Sequence, residues 1–175
     1  SVAIGYWAAK TSQGTESIAI GYTAGQTSQG AESVAIGRAG ITLQGVNSVA
    51  MGYHSGQRHQ GTLSVAMGWQ SARDSQGTSA IAIGTNSGRT SQGNNAVAVG
   101  NQAGQSSQGI QSVAIGLNAG NSGQGNSAVA IGKLAGRSGQ DDFAVSIGSQ
   151  AGYTDQGEQS LAIGNGTGKT SQGAK

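Results

Sequence analysis

Eleven near-copies of one sixteen-residue unit fill the chain, and this period constrains the fold more than any local motif does. SVAIGYWAAKTSQGTE is followed at once by SIAIGYTAGQTSQGAE. Units begin at Ser1, Ser17, Ser33, Ser48, Ser64, Ala80, Ala96, Ser112, Ala128, Ala144 and Ser160, and the third, Ser33 to Asn47, is one residue short. Residues 1–175 therefore read as a single repeat array, and as an internal piece of a longer chain.

Each unit opens on Ser-Val-Ala-Ile-Gly with few departures. A β-branched, small, β-branched alternation is a strand signal, and the closing glycine, at Gly5, Gly21, Gly37 and onward, permits a sharp turn. The rest of the unit is small and polar, with a second glycine and then Gln-Gly. One strand, a turn, a second short extended stretch and a second turn fill sixteen residues, which is one coil of a parallel β-solenoid. Helical repeats are excluded, since each glycine costs about 1 kcal/mol relative to alanine in a helix. Disorder is the competing reading of so much Gly, Ser and Gln. It is set aside because position two is Val, Ile or Leu and position four Ile, Val or Met in every unit.

Composition narrows the function. With 33 glycines, no proline, no cysteine and 9% charged residues, the composition is not that of an ordinary domain. A net charge of +2 points to neither nucleic acid nor an anionic membrane, and no apolar run reaches the roughly 18 residues of a membrane helix. The only histidines are His54 and His59, and the acids Glu16, Glu32, Asp74, Asp141, Asp142, Asp155 and Glu158 are spread over different units. Acid–base catalysis and metal binding both need convergent groups. The chain reads as no enzyme, with no catalytic residues, metal site or cofactor.

One glutamine recurs in every unit: Gln13, Gln29, Gln44, Gln60, Gln76, Gln92, Gln108, Gln124, Gln140, Gln156 and Gln172. Coils stacked about 4.8 Å apart would set these amides above one another, as a structural ladder in which each bonds to the next or closes its own coil's turn. The glycine after it is replaced once, by Asp141, which suggests a positive φ at that slot. Position eight is Ala, Ser or Thr throughout, so the coil should be thin.

Alternation sends Val and Ile at positions two and four to one face and Ala at position three to the other. Either the large side chains lie outside as a continuous apolar stripe, which self-association about the long axis would cover, or they fill the coil and leave alanine outside. The short unit lacks one residue between Gly37 and Ala39. Because a one-residue slip would turn a strand inside out, the first turn should absorb the deletion while Gln44 stays in line with Gln29 and Gln60.

The runs SVAIG, SIAIG, AVAVG and SLAIG, each followed by a spacer and a small Ala-Gly step, resemble the head repeats of trimeric autotransporter adhesins, the Yersinia adhesin family. Similar repeats occur in phage tail fibres and algal-virus fibre proteins. The resemblance implies an all-β, left-handed parallel β-roll, assembled side by side as a homotrimer and used as an extracellular attachment rod on a cell or virion surface. Family units are commonly nearer fourteen residues, so no binding residue carries over.

Recognition would be written where units differ. Tyr6, Trp7, Tyr22, Tyr53 and Trp69 gather on one edge of the first five coils and form a candidate surface for a host protein or glycan. Basic residues recur at position ten, as Lys10, Arg73, Arg89, Arg137 and Lys169, and read mainly as solubilising charges. An adhesive rod is the leading function. A purely structural filament and an ice-binding solenoid, whose threonine rank is broken by Arg58 and Asp74, are the alternatives.

Overall fold

The computed structural model describes residues 1–173. The backbone winds as a parallel β-solenoid of eleven coils, with no helix among the described residues. One sheet takes a strand from every coil, from Val2–Ile4 to Leu161–Ile163, in sequence order. Its register is that of the repeat: Val2 faces Ile18, Ala3 faces Ala19 and Ile4 faces Ile20, and the same slots still pair at Val145 with Leu161. A second sheet of six strands runs from Thr90–Gln92 to Thr170–Gln172. In the first five coils that stretch forms only isolated bridges, Gln13 with Gln29 and Gln76 with Gln92. The second extended stretch expected in every coil is thus a strand in coils six to eleven alone.

Small side chains fill the coils. The position-three alanines from Ala19 to Ala130 and the position-eight residues Ala24, Ser55, Ser87 and Ala119 are buried, and the bulkiest fully buried side chains are Gln140 and Gln156. Val and Ile lie outside, half-buried at position two and more open at position four, where Ile20, Ile83 and Ile115 are 37–39% exposed. Of the two arrangements compatible with alternation, the large residues face out. The physical reason is thickness, since a coil closed on Ala, Ser and Gly leaves no room for two branched side chains per layer.

Two glycine slots explain why the unit cannot drift. At Gly84 φ is +124°, a region closed to residues with a Cβ, and a Cβ there would lie 2.6 Å from the Gly100 carbonyl oxygen. The glycine after each glutamine works differently from expectation. Gly14, Gly30 and Gly93 have no positive φ, and neither has Asp141. A Cβ on Gly93 would instead meet the Gly109 backbone at 2.6 Å, so the slot is small because two coils touch through their main chains. Left-handed backbone falls on other turn slots, among them positions seven and sixteen, where Asn86, Asn118, Asn95 and even Thr23 and Phe143 have φ of 55–60°.

The short third coil keeps its place. Val34, Ala35 and Ile36 pair with Ile18, Ala19 and Ile20 on one side and with Val49, Ala50 and Met51 on the other. Pairing then runs on to Gly37 with Gly52 and Arg38 with Tyr53, giving strands Val34–Arg38 and Val49–Tyr53 of five residues in place of three. Ala39 and Gly40 bond to Gly25 and Ser55 in the ordinary slots. Position seven is simply missing, and the first turn absorbs the deletion.

Candidate interaction surfaces

The outward branched residues form the first surface. Positions two and four stack through all eleven coils, from Val2 and Ile4 to Leu161 and Ile163, as one uninterrupted apolar stripe. Lone exposed hydrophobics are normal, but a monomer rarely shows a contiguous patch beyond a few hundred Å². Here the interior is alanine, serine and glutamine, so nearly all of the hydrophobic side-chain volume lies outside. Fully burying an isoleucine or valine side chain contributes about 1.5–3 kcal/mol, and the share that belongs to the still exposed part of each is unused in the single chain.

Beside the stripe runs a rim built by positions six, seven and ten of the first turn. The Lys10 ammonium sits 4.6 Å from the Trp7 ring, and Asn121 donates to Asn118 and Gln105, which shows that positions seven and ten meet; position six joins position seven, as in the pair Tyr6 and Trp7. On coils one to five the rim carries the aromatic residues singled out above. Tyr6 stacks on Trp7 at 4.8 Å and on Tyr22 at 5.7 Å between ring centroids. The Arg38 guanidinium lies between Tyr22 and Tyr53, 5.7 and 5.6 Å from their centroids, and Tyr53 stacks on His54 at 4.2 Å. Four of the five candidates thus join one column; Trp69 is on the same rim without a stacked ring or cation among the described residues. Rings stacked along the rod spend their faces on one another and offer edges and hydroxyls outward. Arg38 and His54 belong to this column and were not among the candidates; their signal is that they occupy the aromatic slots of neighbouring coils.

Charge is divided between the two edges of the coil. Seven of the nine cations, Lys10, Arg38, Arg73, Arg89, Lys133, Arg137 and Lys169, sit at positions six and ten, where no acid occurs; Arg58 is at position eleven and Lys175 at position sixteen. Asp155, Asp141, Asp142, Glu158, Glu16 and Glu32 all sit at positions twelve to sixteen, on the opposite turn. Arg58 and Asp74, both at position eleven, pair at 3.4 Å, and Arg73 reaches Asp74 at 3.6 Å. The apolar stripe lies between a basic edge and an acidic edge. Reading charges by unit position, rather than along the chain, is the signal that finds this.

The glutamine column lies inside. Gln29 donates to the Ile18 carbonyl of its own coil at 2.6 Å and to Ser33 at the start of the next at 3.3 Å, and Gln92 repeats this with Ile81 and Ala96 at 2.8 and 3.3 Å. Amide-to-amide bonds join Gln124 to Gln140 and Gln156 to Gln172. Serine at position one adds a bond from Ser33 to the Gly30 carbonyl at 2.6 Å. These side chains supply partners for main-chain carbonyls at the turns.

The acids serve turns as well. Asp142 accepts from the Asn126 main chain at 2.7 Å, just as Asn126 accepts from Ile110 and Asn94 from Thr78. Among the described residues no three His, Cys, Asp or Glu side chains are placed to hold a metal ion, and no helix is long and apolar enough to cross a membrane. Burial and the cations Arg38 and Arg73 hold His54 below its ordinary pKa of 6.5, against a hydrogen bond with Gln57 that raises it.

Two stretches, residues 12–39 and 75–103, match the YadA head domain repeat, in line with the resemblance carried by the SVAIG runs. Those two stretches are thus similar to a repeat of an adhesin head, and both lie within the β-solenoid described above. No curated protein and no solved structure matches the chain.

Proposed function

We propose that this array of YadA-head-type repeats is the head or shaft of a trimeric surface fibre, a left-handed rod that acts by attachment and not by catalysis. One observation carries the reading: the continuous Val/Ile stripe is outside the coil, flanked by edges of opposite charge. Copies arranged in parallel around an axis along the rod bury the stripe, and the basic edge then faces an acidic edge of the next copy at the levels of coils one and nine, where both signs occur. A two-fold axis across the rod would set like edges together instead, which costs association energy. Parallel, cyclic assembly is therefore favoured. Three chains place three copies of every outer residue at one level, so a weak contact to a host protein or glycan gains avidity without new chemistry. Such a rod works outside the cell or on a virion.

The experiment is the solution mass. Sedimentation equilibrium is expected to give three times the 17.1 kDa chain, and Val97→Asp with Val99→Asp is expected to abolish the trimer by placing unpaired charge on the covered stripe. A monomeric wild-type chain would overturn the proposal.

A further inference from the structure

The cations are unevenly spread along the rod, and the imbalance is not one that assembly repairs. Coils three to six, residues 33–95, hold Arg38, Arg58, Arg73 and Arg89 against the single acid Asp74, a net of +3; the other coils together carry five cations and six acids. In a parallel assembly each coil faces its own level in the neighbour. Acids sit on the opposite edge only in coils one, two, nine and ten, so the edge that would face Arg38, Arg73 and Arg89 is neutral. These three arginines are half-buried on one rim. Among the described residues the only ion pairs join Asp74 to Arg58 and Arg73, leaving Arg38 and Arg89 without a carboxylate. Arg73 and Arg89 share a slot on adjacent coils, about 5 Å apart and well within one Debye length of about 8 Å.

We infer that this rim of coils three to six binds a linear sulfated glycan, with Arg38, Arg73 and Arg89 holding its anionic groups along the rod axis. The inference rests on the parallel trimer for the statement that no neighbour neutralises the band. Three chains give a band of nine net positive charges over four coils of a neutral-to-acidic rod. Arginine suits sulfate because its fixed fork of donors matches a tetrahedral oxyanion. The neighbours decide the kind of polyanion. Gln57, Gln70, Thr85, Asn86 and the Tyr53 hydroxyl border the arginines and offer hydrogen bonds suited to sugar hydroxyls. Binding of single-stranded nucleic acid relies on open aromatic faces for its bases, whereas Tyr53 is covered by His54 and Arg38, leaving Trp69 alone open.

The test is binding of a fluorescent sulfated glycosaminoglycan oligosaccharide to the whole chain, with the oligomer mass measured on the same samples. Binding is expected to weaken with salt, and to fall about tenfold or more in Arg73→Gln with Arg89→Gln, while Lys133→Gln with Arg137→Gln leaves it within about twofold. Bound sulfate is also expected to raise the His54 pKa in an NMR titration, since it offsets the two cations that hold it down. A trimer that fails to bind the oligosaccharide overturns this inference and leaves the assembly intact. Equal losses in the two double variants, or a single-stranded oligonucleotide of the same charge binding as tightly, also overturn it. A chain that is not trimeric contradicts the assembly reading itself.

Discussion

Gln44 donates to the Val34 carbonyl at 2.7 Å across ten residues, where Gln29 makes the same bond to Ile18 across eleven. The bond survives a deletion inside the loop it closes, so it marks what the coil must keep. Replacing Gln92 with Leu removes the buried donor to Ile81 and Ala96 and is expected to destabilise by about 2–3 kcal/mol. Urea unfolding of Gln92→Leu checks this. A loss under about 0.5 kcal/mol would mean the amide is dispensable.

The same relationship locates the tolerant site. Inserting Asn between Arg38 and Ala39 restores the missing position seven, a slot where Asn86 and Asn118 already sit at positive φ. It is expected to leave the melting temperature within a few degrees or raise it. An extra residue between Ala50 and Met51 shifts the strand register by one and is expected to prevent cooperative folding, because it turns every following apolar residue of that strand to the wrong face. Thermal melts of the two insertions should differ sharply.

How much of this was legible depends on which interactions repeat. Coil number, strand register and the alignment of Gln44 all follow from spacing, since every unit restates them. The direction of Val34 and Ile36 remained open because alternation divides faces without saying which is inside; coil thickness decides it. The slot of Gly93 and Asp141 looks like positive φ in the sequence because crowding between coils and positive φ both select a small residue. The rim column was half legible: Tyr6 and Tyr22 share a slot, but that Arg38 fills the gap between Tyr22 and Tyr53 is a matter of geometry.

Thr23 is β-branched at φ 56°, and its buried hydroxyl has no partner. Both features oppose the fold, by strain and by desolvation. Thr23→Gly is expected to raise stability by about 1 kcal/mol, read as a higher urea midpoint at unchanged slope. A drop of that size would show that methyl packing outweighs both.

His54 gives the pH dependence. Burial, with Arg38 and Arg73, lowers its pKa in the folded chain below the ordinary 6.5, so the unfolded chain binds the proton more readily. Its contribution to stability is present above about pH 6.5 and is lost as pH falls through the lower folded value. His54→Gln is expected to flatten stability between pH 7 and 5 relative to the wild type. An unchanged profile would assign that slope to other groups.

Parallel association through the Val/Ile stripe is open to cross-linking, because the chain has no cysteine of its own. Ile20→Cys and Ile147→Cys chains are prepared separately and together, then oxidised and run on a non-reducing gel. Parallel association predicts a covalent dimer from either variant alone and no mixed product between them. Mixed Ile20–Ile147 dimers, with little product from each variant alone, would contradict it.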